Sequence, residues 1–514
     1  MRFTYIYLLY CFLFSQNVYA QTSIYDVQSP KREVRAVWIA TIGGIDWPRN
    51  KSNGTVSSIE RQQRELCDQL DRLQRIHINT VLLQTRVRGS VIYPSDIEPW
   101  DECLTGHYDQ HPGYDPLQFA IEECHKRGME LHAWVVTIPL GKTERLRKQV
   151  TKSILHQHPQ LCKSAKGESF MKPGHPETAD YVAALCREIA EKYDVDGISL
   201  DYIRYPEKEY NFSDDELFSQ EEKNLFTRSE WRRANITRIV KSVHDSVKPL
   251  KPWVKLSSSP LGRYDNLSCY SSAGWDCYNA VYQDPRLWLE NNYQDMLFPM
   301  MYFQGNLFYP FLFNWKEISC GHPVVSGLGI YFLDRREKNW PLRTITQEMS
   351  VARQSGVGGT CFYRSMYLLQ NIKGLYSECE RFFSRPALPV CMTWMDNCPT
   401  PSMPTDLSVC EDVLSWAGID SVLYNVYASN EYPVDTDDAN NLIATSLREH
   451  TFVCPESARY KLYYAVTAMN RYGCESAPLQ MDVPSVQERK HIEETIKRHF
   501  SQPLTTKPTK KRKR

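Results

Sequence analysis

Eight short, apolar, β-rich runs alternate with longer stretches of helical spacing between residues 33 and 385. The runs are "EVRAVWIAT" at 33, "NTVLLQTRV" at 79, "MELHAWVV" at 129, "VDGISLDYI" at 195, "WVKLSSSP" at 253, "DMLFPMMYF" at 295, "VVSGLGIYF" at 324 and "VGGTCFYR" at 357. Helical patterns such as "SIERQQRELCDQLDRLQRI" and "TADYVAALCREIAEKY" fall between them. Such alternation builds a parallel sheet covered by helices. Eight strands predict an α/β chain folded as a (β/α)8 TIM barrel over 33–385. An open doubly wound sheet would want a GxGxxG turn after its first strand, and "TIGGIDWP" lacks that spacing.

In such barrels the reacting groups stand at the C-terminal ends of the strands and in the loops beyond. The stretch "DGISLDYIRYP" therefore places Asp201 at the active end of the fourth strand, and Asp196 at the opposite end as a turn or cap residue. The other strand ends supply Trp38 and Trp47, Gln84 and Arg86, His132 and Trp134, Tyr202, Arg204 and Tyr205. Ser258, Ser259, Tyr302, Gln304, Tyr331, Tyr363 and Arg364 complete the set. Flat rings stack on the C–H faces of sugars while amides, imidazole and guanidinium bond hydroxyls, so a carbohydrate-binding rim is expected.

Sixty-one basic and 61 acidic residues cancel, which gives no global electrostatic case for nucleic acid or an anionic membrane as partner. A neutral polysaccharide fits better. Residues 1–20, "MRFTYIYLLYCFLFSQNVYA", have the charge, apolar run and small-residue ending of a signal peptide, so export to the periplasm, envelope or medium is expected. The apolar run is too short to span a bilayer.

Cleavage would leave 15 of the 16 cysteines, an odd number; Cys391 with Cys398 and Cys454 with Cys474 are examples of pairs the spacing allows. No CxxC occurs, and no metal or other cofactor is expected. Five prolines between 386 and 404 mark a linker. Period-two runs over 405–485 then predict a small β-sandwich whose "LSW", "YNVYAS" and "YYAVTAMNRYGCES" resemble a fibronectin type III module. The remaining 486–514 end in the basic "KPTKKRKR", expected to be a solvated tail.

The motifs "EVRAVWIATIGGIDWP", "NTVLLQTRVRGSVIYPSDIEPWDECLTG", "GYDPLQFAIEECHKRGMELHAW", "DGISLDYIRYP" and "VYQDPRLWLENNYQDMLFPMMYF" occur in order along the barrel. On these the chain resembles the glycosyl hydrolase-like 10 family of exported bacterial proteins. The resemblance implies a TIM-barrel glycosidase; a related exported enzyme of enteric bacteria acts on peptidoglycan glycan strands stripped of their peptides. The chain departs from the family pattern at "HAWVVTIPLG", at Met300 and Met301 before Tyr302, and at Tyr202, where a second acid often follows the first.

Glycoside hydrolysis ordinarily uses two carboxyl groups. Asp201 is the first, with Arg204 or Arg86 expected to hold it ionised as a nucleophile or base. The fifth strand, "KLSSSPLG", offers no acid, so the second must come from a loop. Among Asp46, Asp96, Glu98, Asp101, Glu102 and Asp284, the preferred candidates are Asp46 and Glu98, each in a tryptophan-bearing loop where an apolar neighbour could raise an acid's pKa. Asp284 before Pro285 reads as a helix cap. No HExxH or GxSxG occurs, and His132 is expected to bond a sugar hydroxyl. A barrel that binds glycan without cleaving it is the competing reading, and the oligomeric state is left open.

Overall fold

The computed structural model describes residues 28–149, 152–220, 227–395, 398–459 and 461–482. The expected leader and basic tail lie outside them. The chain forms two compact units that part after Cys398.

All eight runs of the first unit are strands: β1 (Val34–Ile39), β2 (Thr80–Arg86), β3 (Glu130–Val136), β4 (Gly197–Asp201), β5 (Lys255–Ser258), β6 (Met296–Leu297), β7 (Val325–Leu328) and β8 (Gly359–Phe362). They pair in parallel in the order β7-β8-β1-β2-β3-β4-β5-β6. Parallel bridges Leu297–Val324 and Met300–Gly327 join β6 to β7 and close the ring.

The main helices between strands are α1 (Val56–Arg75), α2 (Pro116–Lys126), α3 (Pro176–Lys192), α4 (Arg228–Val247), α5 (Pro285–Glu290), α6 (Tyr309–Glu317), α7 (Leu342–Ser355) and α8 (Leu375–Phe382). Their starts are written in local chemistry. Thr227 and Glu230 form a reciprocal capping box on α4, and Asp115 and Asp284 cap α2 and α5 ahead of Pro116 and Pro285. On α1, Leu66, Leu70 and Leu73 lie at helical spacing and are buried, each stabilising the fold by about 1.5–3 kcal/mol.

Alternate strand residues face opposite ways. Val37, Ile39, Val81, Leu83, Ile198 and Leu200 belong to the core beneath the helices, whereas Trp38, Leu82, Trp134, Phe298 and Cys361 form a separate cluster inside the ring. Interior residues stack in layers set by register. Gln84, Trp134, Ser199 and Ser257 are successive partners in one layer. His132, Gly197 and Lys255 form the layer below, and Asp201 stands above, at the mouth.

Two features differ from the sequence expectation. Between β3 and α3 the chain makes a three-stranded antiparallel sheet, in which Glu168–Met171 lies between Pro139–Lys142 and Cys162–Ala165. The proline-rich stretch also begins as part of the barrel unit. Ala387, Leu388 and Met392 are buried, Leu388 pairs with Arg32, and Asn79 donates to the Ala387 carbonyl at 3.0 Å. Cys391 and Cys454 carry thiols, so neither disulfide suggested by spacing forms.

In the second unit, β9 (Thr405–Cys410), β10 (Val413–Ala417) and β13 (Thr451–Val453) form one antiparallel sheet. A second has the order β12 (Leu442–Leu447), β11 (Leu423–Ser429), β14 (Tyr463–Met469) and β15 (Leu479–Gln480). Leu414, Trp416, Tyr424, Val426, Tyr464 and Val466 meet in one core, so period-two patterning fills the unit's interior. Among the described residues, no helix is long and apolar enough to cross a membrane.

Candidate active site

Asp201 closes β4, and its side chain points into the barrel mouth as Ser199 and Gly197 point inward below it. Its two oxygens are held differently. Oδ2 accepts from the indole Nε1 of Trp134 at 2.9 Å, and Oδ1 accepts from the backbone N–H of Tyr202 at 2.8 Å. Thr137 fixes the backbone behind it, its N–H and Oγ1 both donating to the Asp201 carbonyl. Tyr202 has φ +51°, a left-handed conformation that costs a residue with a Cβ about 1–3 kcal/mol and turns its N–H onto the acid.

Burial pushes the Asp201 carboxyl above its usual range, and the positive charges of Arg204 and Arg88 oppose that shift only in part. The expectation of an acid held ionised by Arg204 or Arg86 is therefore corrected. Arg204 makes its ion pair with Glu207, Nη2 to Oε1 at 2.7 Å, while its guanidinium lies 4.3 Å from the Tyr202 ring centre. Among the described residues Asp201 has no ion-pair partner within 4 Å.

The aromatic wall is built around Tyr363, at the end of β8. Tyr302 stacks on it with centroids 5.6 Å apart and planes at 27°. Tyr331, Trp38 and Trp134 meet it edge-on at 5.9, 5.8 and 6.5 Å. Tyr202, Tyr302, Tyr331 and Tyr363 are half-buried, so their edges reach the mouth, whereas Trp38 and Trp134 are buried beneath it. Burial raises the Tyr331 hydroxyl to about 12 and keeps it a neutral donor.

Several residues expected at this rim stand elsewhere. His132 is fully buried one layer down, its Nε2 3.2 Å from Glu130, and its ring fills the space over Gly197 where any Cβ would collide. Trp47 packs outside the ring, donating to the Gln62 carbonyl of α1 at 2.9 Å. Tyr205 is buried and accepts from Asn235 of α4. Gln84 spends its Oε1 on the N–H groups of Thr41 and Ile42 and so braces the loop after β1. Gln304 is exposed and reaches Thr344 at the start of α7. These are framework roles.

The two acids expected opposite Asp201 are closed off. Glu98 is buried and held by Arg86 through two hydrogen bonds, at 2.6 and 2.7 Å, with the Tyr181 hydroxyl at 3.0 Å. Arg86 is thus a structural partner of Glu98 and contributes nothing to the rim. Asp46 is also buried; it accepts from the N–H groups of Ala40 at 2.9 Å and Met366 at 3.3 Å and pairs with Arg364. It locks the loop after β1 to the chain beyond β8. Burial raises the Asp46 carboxyl despite Arg364, and both Asp46 and Asp201 act electrostatically on Tyr363.

Two residues near Asp201 escaped the sequence reading. Glu207 lies in the loop after β4, keeps its carboxylate partly exposed, and shares Arg204 with Asp201 and Tyr202. Arg88 lies two residues past β2 and is half-buried. Both sit in loops directly beyond strand ends, the position that marks catalytic groups in barrels.

Residues 33–309 match the model of the family described as glycosyl hydrolase-like 10. The glycosyl hydrolase YngK of Bacillus subtilis is 31% identical over 401 residues, covering 74% of this chain and 78% of that protein. The glycosyl hydrolase DigH of Escherichia coli is 33% identical over 294 residues, covering 54% of this chain and 66% of that protein. The glycoside hydrolase domain of PgaB (BpsB) from Bordetella bronchiseptica superposes with a TM-score of 0.45 at 12% identity, over 68% of this chain and 98% of that one, too loosely to bear on mechanism. By the match over more than half its length and by its kinship to YngK, the chain belongs to the glycosyl hydrolase-like 10 family.

Proposed function

We propose that the protein is an exported glycoside hydrolase that cleaves a polysaccharide, peptide-free peptidoglycan glycan strands being the specific candidate. The observation that carries this reading is Asp201 itself, a carboxyl at the C-terminal end of a barrel strand that is held by two donors, unpaired, and walled by tyrosines. Its raised pKa suits a general acid that protonates the leaving glycosidic oxygen. Glu207, ion-paired with Arg204 and partly exposed, is the second carboxyl in this reading, as nucleophile or activator of water. The tyrosine rings supply the stacking surface for the sugar.

The second unit, with sheets of three and four strands, is read as a fibronectin type III-like module that spaces or docks the barrel. A binding protein without hydrolytic activity is the second reading, and the closure of both Glu98 and Asp46 favours it. Mass spectrometry of products from peptide-free peptidoglycan strands and a polysaccharide panel separates the two. Release that is lost in both Asp201→Asn and Glu207→Gln, with glycan binding kept, supports the hydrolase; binding without release in the wild type supports the other.

A further inference from the structure

Arg88 is half-buried, and its guanidinium has no hydrogen-bond or ion-pair partner among the described residues, so its donors are left for solvent or a ligand. Its stem is fixed. The space over Gly141 is bounded by the Arg88 Cβ and Cδ at 3.9 and 3.8 Å, and the neighbouring Gly89 sits against Leu140 and Ile154. The loop after β2 is thereby seated on the inserted strand Pro139–Lys142. Thr137, two residues before that strand, accepts from Arg86 and donates to the Asp201 carbonyl, which ties the loop after β2 to the end of β4, and Arg88 acts electrostatically on Asp201, Tyr202 and Tyr210.

The strand continues into a cavity of about 550 Å³ lined by Tyr108, Lys142, Arg145 and Lys148 among others. Within it Arg145 is paired with Glu102 and Lys148 with Glu144, while Lys142 has no such partner among the described residues. The Tyr108 hydroxyl is buried and also without one. Lys142 and the Tyr108 hydroxyl thus add unpartnered polar groups to the cavity at the end of that strand.

We propose that Arg88 binds a carboxylate carried by the sugar lying against Asp201, so that the enzyme selects carboxylate-bearing glycan over its neutral counterpart. A planar guanidinium matches a carboxylate through two parallel hydrogen bonds. This deepens the hydrolase reading and rests on it. Removing a peptide from a peptidoglycan strand by cleaving its amide link leaves one such carboxylate at each former attachment point.

The test uses peptide-free peptidoglycan strands and the same strands with carboxylates reduced to alcohols. Product release is measured for wild type, Arg88→Ala and Arg88→Lys, and affinity for both glycans is measured by calorimetry in Asp201→Asn with and without Arg88→Ala. Circular dichroism confirms that each variant is folded. The wild type is expected to prefer the carboxylate form by about ten- to a hundred-fold, Arg88→Ala to bring the ratio near one, and Arg88→Lys to recover part of it. An equal loss on both glycans would mean that Arg88 serves Asp201 instead and would overturn the proposal, as would a wild type that does not discriminate. Absence of release from every glycan would refute the hydrolase reading alone. Calorimetry then decides for Arg88: a carboxylate-dependent affinity lost in Arg88→Ala upholds it, and its absence overturns it.

Discussion

The indole N–H of Trp134 donates to Oδ2 of Asp201 at 2.9 Å, from the neighbouring strand and one layer lower in the barrel. This bond favours the carboxylate form, against the burial that favours the acid. Trp134→Phe keeps a ring and deletes the donor. The Asp201 pKa should then rise, because the deleted hydrogen bond favoured the charged form. If Asp201 acts as the acid, the high-pH limb of kcat/KM moves up with it. A pH profile unchanged in Trp134→Phe, with activity retained, would remove Asp201 from that role.

The Arg86–Glu98 pair makes a contrasting prediction. Breaking a buried pair from one side leaves an unpaired charge and typically costs about 3–5 kcal/mol. Glu98→Ala should lower the denaturation midpoint sharply. The double change Arg86→Met with Glu98→Leu should recover much of the loss, because both charges are gone. Activity that follows the folded fraction in both variants would confirm a framework role; a stable Glu98→Ala lacking only activity would restore Glu98 as a catalytic candidate.

Glu348, on α7, is buried, and neither of its carboxylate oxygens has a hydrogen-bond partner among the described residues. Burial alone lifts its pKa well above the carboxylate range. A raised folded-state pKa contributes stability that is complete below the unfolded pKa and is lost as pH rises through the folded one. Glu348→Gln removes that titration. Denaturant titrations should show the variant more stable than wild type at pH 8, by about 1–3 kcal/mol, with the gap closing near pH 4. Equal stability at both pH values would contradict this account.

Tyr331 contacts Tyr302 and Tyr363 edge-on from the loop after β7 and is half-buried. If this wall stacks on sugar, Tyr331→Ala should weaken glycan binding about three- to ten-fold, with little change in folding, and Tyr331→Phe should lose much less. Calorimetry on folded protein checks both, and equal binding by all three would place the sugar elsewhere.

The eight strands and their order were legible because fully buried parallel strands are short continuous apolar runs, and caps such as Asp115–Pro116 and Asp284–Pro285 declare helix starts locally. Asp201 and the tyrosines were legible for a related reason: position at the end of a strand is a property of the chain. Depth within the barrel is not. His132 and Trp134 face the same interior two residues apart, yet one meets Glu130 below and the other Asp201 above.

The sequence by itself determined the strands, the helix starts and the acid at the end of β4. Tertiary structure decided which charges meet. Arg86 takes Glu98, Arg204 takes Glu207, Asp46 takes Arg364, and Asp201 and Arg88 are left without such a partner among the described residues. Asp46 and Arg364 join the loops after two different strands across 318 residues of chain, whereas the other two pairs close within the segment that follows a single strand, β2 or β4. They depend on sheet register and loop packing, which local residue patterns do not encode.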